Sequence, residues 1–165
     1  MPISMYEASV PVFIRAFGNL STILRKGAEL GGDALVDARL APDMYTLVGQ
    51  VQRASDTAKG CAARLGGIDN PSFPDNERTF ADLQERIGKT VGFLRGVKAG
   101  QIDGTEQKPI EFKAGPTTLH FVGTSYLLTF AMPNFFFHVT TAYAILRHKG
   151  APVGKMDFLG SMPKD

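Results

Sequence analysis

One histidine of this 165-residue sequence stands where it could take part in chemistry. His138 lies in the apolar stretch TSYLLTFAMPNFFFHVTTAYAILRHKG, which spans Thr124 to Gly150, and Asn134 precedes it by four residues. Because residues four apart lie on one face of an α-helix, the amide and the imidazole are predicted to stack there. Such a pair on an apolar face is either a buried hydrogen bond or half of a ligand site. A lone histidine in this setting is more often a satisfied core residue than a ligand, and the spacing alone does not decide between the two.

The other residues of reactive or charged type are predicted to have structural roles. Cys61 lies in the apolar seam of a predicted helix, where a free cysteine behaves as a small core residue. His120 alternates with apolar residues of a predicted strand and is expected to face solvent. His148 lies in a basic cluster at a helix end, where it can cap backbone carbonyls. Arg53 and Asp56 are predicted to lie on a solvated helix face.

Composition and motifs exclude several classes of function. The sequence lacks GxxxxGK[ST], GxGxxG after a strand, GxSxG, CxxC and HExxH, so no common nucleotide, hydrolase or zinc-protease site is predicted. A net charge of +2, with basic residues scattered along the chain, is too mild for nucleic-acid binding. A single cysteine and an N-terminus without a signal-peptide pattern favour a reducing compartment, and we expect a cytoplasmic protein.

The stretch that contains His138 is predicted to be one long helix at the centre of a soluble bundle. A threonine at its start and a glycine at its end are suitable cap residues, and Pro133 is expected to kink its axis. Its asparagine, histidine and threonines interrupt the apolar run, so no membrane span is predicted. Three consecutive phenylalanines, residues 135–137, are too dense for a solvated face and indicate core together with a subunit interface.

A first long helix is predicted near the start of the chain. Ser4 and Glu7 have the spacing of a capping box, and the helix is expected to end at Gly31. Pro11 falls inside it, so either the helix kinks there or its first turn is a separate piece; we favour the kink. The predicted inward residues are Tyr6, Val10, Phe13, Phe17, Leu20 and Leu24.

Two more long helices are predicted in the middle of the chain. The second opens at Ala41-Pro42-Asp43 and reaches Gly66, and the third runs from about Glu77 to Val97. Residues 33–40 are expected to form a short helix or turn, and residues 68–76 an irregular crossover. The apolar seam of the second helix comprises Met44, Leu47, Val51, Ala54, Ala58, Cys61 and Leu65.

Apolar and polar residues alternate on both sides of Ala114-Gly115-Pro116, which predicts a two-stranded hairpin. Its apolar face must pack on the helices, because an isolated hairpin is only marginally stable. Four helical patterns, one hairpin and no alternation of strands with helices predict an all-α four-helix bundle. We expect a single domain over residues 1–165, with the hairpin between helices 3 and 4.

Three stretches of the chain closely resemble the bacterial and fungal family called DUF1993: HVTTAYAILRHKGAPVGKMDFLG, LAPDMYTLVGQVQRASDTAKG and the opening ISMYEASVPVF. The resemblance runs from about Ile3 to Gly160. It implies a branch of the DinB/YfiT-like superfamily, whose members are four-helix bundles and often homodimers. Many of them hold a metal ion with three histidines, one on the second helix and two on the fourth.

The resemblance implies where a pocket would lie. It places His138 on the last metal histidine, Asn134 on the histidine four residues earlier, and Gln50 near the second-helix histidine, with Gln52 as the alternative register. Asn and Gln offer only an amide oxygen, so one imidazole and two amides should bind a divalent ion weakly. We therefore expect no metal cofactor, and only weak divalent-metal binding through His138. Asp56 lies most of a half-turn away from the face of Gln50 and is a poor substitute ligand.

Three functions compete at this stage. The first is a small-molecule-binding protein or metal-free enzyme that uses Gln50, Asn134 and His138 as a degenerate metal site. The second, implied by the resemblance, is a metal-dependent enzyme such as a thiol-dependent transferase. The third is a structural dimer in which the three polar residues satisfy one another. We favour the first, and expect a homodimer that binds a small molecule but neither nucleic acid nor a membrane.

Overall fold

The computed structural model describes residues 2–162, and its framework is four long helices. They are α1 (Val10–Gly31), α2 (Leu47–Gly66), α3 (Phe80–Gly96) and α5, a continuous helix of three segments, Gly123–Ser125, Tyr126–Ala131 and Met132–His148. The shorter elements are a 3-10 helix (Gly32–Asp37), α4 (Ala99–Ile102) and α6 (Lys155–Leu159). An antiparallel hairpin, β1 (Pro109–Ala114) and β2 (Thr117–Val122), precedes α5.

The long helices form one bundle around a common apolar core, as the sequence predicts. α2 packs against α3 on one side and α5 on the other, while α1 contacts α3, α5 and α6. The apolar residues of the α2 seam are fully buried from Leu47 to Leu65, Cys61 among them. Burial raises the pKa of the Cys61 thiol to about 12, which leaves it an unreactive core residue.

The predicted kink at Pro11 is wrong. Residues 5–9 form a separate turn, which the reciprocal hydrogen bonds of Ser4 and Glu7 hold, and α1 itself starts at Val10. Pro11 thus lies in the first turn of α1, where the missing N–H would have no helical partner in any case.

The predicted start of α2 at Ala41 is also wrong. α2 begins at Leu47, because Thr46 acts as the N-cap and its hydroxyl accepts a hydrogen bond from the amide of Gly49. The preceding residues turn back on themselves, and Arg39 pairs with Thr46 in an isolated antiparallel bridge. α3 likewise starts three residues later than predicted, after a capping box formed by Thr79 and Asp82.

α5 is interrupted near its proline, but not as a simple kink. Tyr126–Ala131 is π-helical, and Pro133 lies in the first turn of the α-helical segment that follows. A π-helical stretch is rare and is often associated with a functional site. Within residues 2–162 no helix is both long and apolar enough to cross a membrane.

The hairpin is docked on α5 through its predicted apolar face. Its register places Ile110 opposite Phe121 and Phe112 opposite Leu119. The Phe112 ring lies 4.5 Å from that of Phe130 on α5, measured between ring centroids. The hairpin therefore covers the π-helical part of α5, just ahead of Asn134 and His138.

Candidate functional site

The centre of the site is a buried contact between α2 and α5. Nδ1 of His138 lies 2.7 Å from Oε1 of Gln50, and the two residues are only 7% and 1% exposed. Both predicted positions therefore face each other across the bundle, as the sequence analysis expects.

The hydrogen bonds of Gln50 fix the tautomer of His138. The Nε2 amide of Gln50 donates to the carbonyl of Tyr45, at 3.3 Å. A carbonyl can only accept, so the amide oxygen of Gln50 must face the imidazole and accept a hydrogen bond from it. Nδ1 of His138 therefore carries the proton, and Nε2 carries a lone pair.

The lone pair on Nε2 of His138 faces a cleft. Nε2 of His138 has no hydrogen-bond partner among residues 2–162. In the same residues, the fully buried side-chain polar atoms without a partner are Nε of Arg53 and Nε of Arg86, and Nε2 of His138 is not one of them. Nε2 must therefore reach solvent, through a cleft of about 260 Å³ that we call the His138 cleft. Its lining residues are Arg53, Asp56, Thr57, Arg64, Asn70, Phe112, Tyr126, Phe130, Asn134 and His138.

His138 stays neutral at physiological pH. Burial away from solvent disfavours the imidazolium, and the positive charge of Arg53 disfavours it further, which lowers the pKa of His138 to about 4.

Asn134 lines the same cleft but does not bond to either of its two predicted companions. Its Nδ2 donates to the hydroxyl of Thr57, at 2.8 Å. Gln50 is not part of the cleft wall, because it lies behind His138 and orients the ring from the core side. Gln52, the alternative register, lies elsewhere and donates to the carboxylate of Glu77, at 2.7 Å.

Arg53 and Asp56 are half-exposed, as a solvated face predicts, but they also belong to an ion network that the sequence does not indicate. Asp56 forms ion pairs with Arg53, Lys59 and Arg86, and the side chain of Arg86 is 1% exposed. Asp75 and Glu77 complete this network, which therefore contains three cations and three carboxylates. The side chains of the crossover and α3 thus pair with this face of α2 while leaving it partly exposed.

Arg64 is a site residue that the sequence analysis misses. Its Nη1 donates to the hydroxyl of Tyr126, at 3.1 Å, and its guanidinium carbon lies 4.9 Å from the centre of the Phe112 ring. Burial raises the pKa of Tyr126 to about 12, so this hydroxyl stays protonated. One arginine in the last turn of a helix carries no sequence signal of its own, because basic residues are common there.

The residues present do not fit the three-histidine metal site that the resemblance implies. Nδ1 of His138 and Oε1 of Gln50 are engaged with each other, which leaves one imidazole nitrogen and the amide oxygen of Asn134 to face the cleft. Residues 2–162 contain no group of three or more His, Cys, Asp or Glu side chains placed to hold a metal ion. Arginines at the same cleft would also repel a divalent cation.

Comparisons with known proteins cover nearly the whole chain. A family model described as Domain of unknown function (DUF1993) matches residues 5–159, which include every residue of the His138 cleft. No curated protein matches the chain. The crystal structure of a DinB family member protein from Shewanella denitrificans, at 1.83 Å resolution, superposes with a TM-score of 0.88. That protein is 37% identical, and the match covers 97% of this chain and 94% of the other.

Proposed function

Given that the chain belongs to the DUF1993 family and folds as a DinB family protein does, we propose that it binds a small polar molecule in the His138 cleft without a metal ion. The single observation that carries this proposal is the lone pair on Nε2 of His138. It is held open to the cleft by the hydrogen bond of Nδ1 to Gln50. The second nitrogen is thus available to a bound molecule, unlike that of a histidine whose two nitrogens are both bonded to protein groups.

The neutral imidazole suits the binding of a hydroxyl or N–H group. Nε2 of His138 accepts such a donor, and the amide oxygen of Asn134, to which no group of residues 2–162 donates, accepts a second. The same nitrogen can receive a proton from a bound molecule, so the cleft also supports metal-free general base chemistry. A pKa of about 4 makes it a weak base, and we therefore propose binding as the primary role.

The cleft volume limits the size of the bound molecule. About 260 Å³ is just below the range of roughly 300–1,000 Å³ that is common for ligand pockets. Polar groups converge from α2 and α5, while Phe112 and Phe130 supply apolar walls. This combination is typical of sites for small organic molecules.

Imidazole ¹⁵N NMR combined with metal analysis tests the proposal. In protein purified without an affinity tag, His138 should show the Nδ1-protonated tautomer, and small alcohols and amides should shift its Nε2 resonance. A Gln50→Met variant, which removes the acceptor, should lose the tautomer preference. Stoichiometric zinc that a His138→Ala variant no longer binds would contradict the proposal and favour a metal-dependent enzyme. Two tautomers in wild-type protein, or an Nε2 resonance that none of the added molecules shifts, would favour a structural network.

A further inference from the structure

No carboxylate of residues 2–162 balances the positive charge of Arg64. Among residues 2–162, no Asp or Glu side chain lies within 4.0 Å of its guanidinium. Arg53, the other arginine of the cleft, belongs to the network in which three cations meet three carboxylates. Asp56 also lines the cleft, but Arg53, Lys59 and Arg86 already engage its carboxylate. The cleft therefore presents one surplus positive charge, at Arg64.

The guanidinium of Arg64 is held in place yet keeps most of its donors free. The hydroxyl of Tyr126 and the ring of Phe112 fix it from one side. Within the described part of the chain, residues 2–162, Nη1 is the one nitrogen of Arg64 that donates to a protein acceptor. No other nitrogen of Arg64 is among the fully buried unpartnered atoms there, so those donors reach solvent. A fixed planar guanidinium with free N–H groups suits a carboxylate, which it can bind through two parallel hydrogen bonds.

Gly60 provides the space in which this guanidinium lies. A Cβ atom at residue 60 would overlap Nη1 of Arg64, one turn further along α2. Glycine inside a helix costs about 1 kcal/mol relative to alanine, so an alanine here would favour the helix but displace the arginine. The glycine thus serves the position of Arg64 at the expense of helix stability.

We propose that the molecule bound in the His138 cleft is a small organic monocarboxylate with a flat apolar body, and that Arg64 binds its carboxylate. This inference rests on the proposed function and adds the chemical class of the ligand. A single uncompensated cation matches a monoanion better than a phosphate, which carries more charge at neutral pH. Phe112 and Phe130 provide the apolar walls against which a flat ligand body can pack.

A titration with three probes tests the ligand class. Benzoate carries both the anion and the flat body, acetate lacks the body, and benzyl alcohol lacks the charge. The titrations are followed by two-dimensional NMR at low salt. Benzoate should shift resonances of Arg64, Tyr126 and His138, and it should bind about tenfold more tightly than either other probe. Inorganic phosphate, added alone, should bind more weakly than benzoate.

Two variants and a matched control locate the charge that matters. Arg64→Met should weaken benzoate binding about tenfold or more, whereas Arg95→Met, which removes an exposed arginine from the end of α3, should leave it unchanged. Gly60→Ala keeps every charge and should melt at the same or a higher temperature, but should also bind benzoate several-fold more weakly. That combination would not arise if Arg64 had only a structural role.

The outcomes separate this inference from the proposed function. Equal affinity for benzoate and benzyl alcohol, with shifts at His138, would overturn the carboxylate and leave small-molecule binding intact. No binding of benzoate by the wild-type protein, or unchanged binding by the Arg64→Met and Gly60→Ala variants, would overturn the inference. Phosphate binding tighter than benzoate would overturn it in favour of a phosphate site.

Discussion

Asn134 on α5 donates its amide hydrogen to the hydroxyl of Thr57 on α2, with 2.8 Å between Nδ2 and Oγ1. The same hydroxyl donates to the backbone carbonyl of Arg53, at 2.7 Å, so its proton is already used and it can only accept from Asn134. This fixes the orientation of the amide. The oxygen of Asn134 is consequently the atom left for the His138 cleft, and two acceptors, this oxygen and Nε2 of His138, belong to the same wall.

A Thr57→Val substitution should leave the side-chain amide of Asn134 without the hydrogen bond that fixes its orientation. It removes the hydroxyl while keeping the shape of the side chain, and the lost hydrogen bond should lower the free energy of unfolding by about 1 kcal/mol. Thr57→Ser keeps the hydroxyl and is the matched control. Urea denaturation of the three proteins measures the difference. Equal losses for valine and serine would show that the hydroxyl does not hold Asn134.

The depressed pKa of His138 should make stability depend on pH. The unfolded chain binds a proton near the ordinary pKa of 6.5, but the folded protein binds it only near 4, so protonation favours unfolding between these values. The stabilisation that the depressed pKa of His138 provides is complete above about pH 6.5. The free energy of unfolding should therefore fall by about 2 kcal/mol from pH 7 to pH 5.

A His138→Gln variant isolates this effect, because it retains His120 and His148 but does not titrate at residue 138. From pH 7 to pH 5, its free energy of unfolding should decline by about 2 kcal/mol less than that of the wild type. Parallel pH profiles for the two proteins would show that His138 titrates normally and is exposed.

Removing Arg86 should be costly. It is the buried centre of the ion network, and Arg86→Met would leave Glu77 and its neighbouring carboxylates without their main partner. A loss of roughly 3 kcal/mol or more is expected, because the remaining charges are partly buried. Lys89→Met, which removes an exposed cation on the same helix, should change stability by less than about 0.5 kcal/mol. Chemical denaturation at pH 7 compares them, and similar small losses would contradict the role of Arg86.

The docked hairpin should contribute to stability through Phe112. Its ring contacts Phe130 and Arg64 but is only partly buried, so Phe112→Ala should cost about 1–2 kcal/mol rather than the full value of a core phenylalanine. Lys113→Ala, on the opposite face of β1, is the control. A thermal or urea transition that matches the wild type would mean that the hairpin is held by other residues.

We expect the protein to form a homodimer through an apolar face of α5. Phe137 and Leu128 on this helix are 54% and 57% exposed, and a partner subunit that covers them would bury apolar surface. Light scattering at micromolar concentration should give twice the chain mass of 17.8 kDa. Phe137→Ser should shift the mass to that of a monomer, and Met156→Ser, at an exposed residue of α6, should not. A wild-type monomer would exclude this interface.

The sequence predicts the bundle because its core repeats at helical spacing. Buried residues of α2 such as Leu47, Val51 and Ala54 follow a period that periodicity analysis detects directly. Helix starts are harder to place, because Thr46 and Ala41-Pro42-Asp43 are both plausible N-terminal signals, and only the tertiary path of the chain decides between them.

The site is predictable only in part for a similar reason. The contact of Gln50 with His138 joins two helices whose facing sides the family resemblance indicates. The charges around them do not follow from periodicity, since Asp75 and Glu77 come from an irregular segment before α3. Arg64 is missed because its significance depends on having no carboxylate partner among residues 2–162, and only the folded structure shows which charges are paired.

The π-helical stretch of α5 determines which residues can meet in the cleft. In an uninterrupted α-helix, Tyr126 and His138 would be twelve steps of about 100° apart and would point about 120° away from each other. The π-helical stretch accommodates one surplus residue, so the effective separation is eleven steps and the two directions differ by only about 20°. Tyr126, which anchors Arg64, and His138 thereby come into phase on one side of the helix. Deleting the surplus residue would let a regular α-helix form with the two side chains still in phase, whereas the full-length segment depends on its π-helical stretch to bring them together.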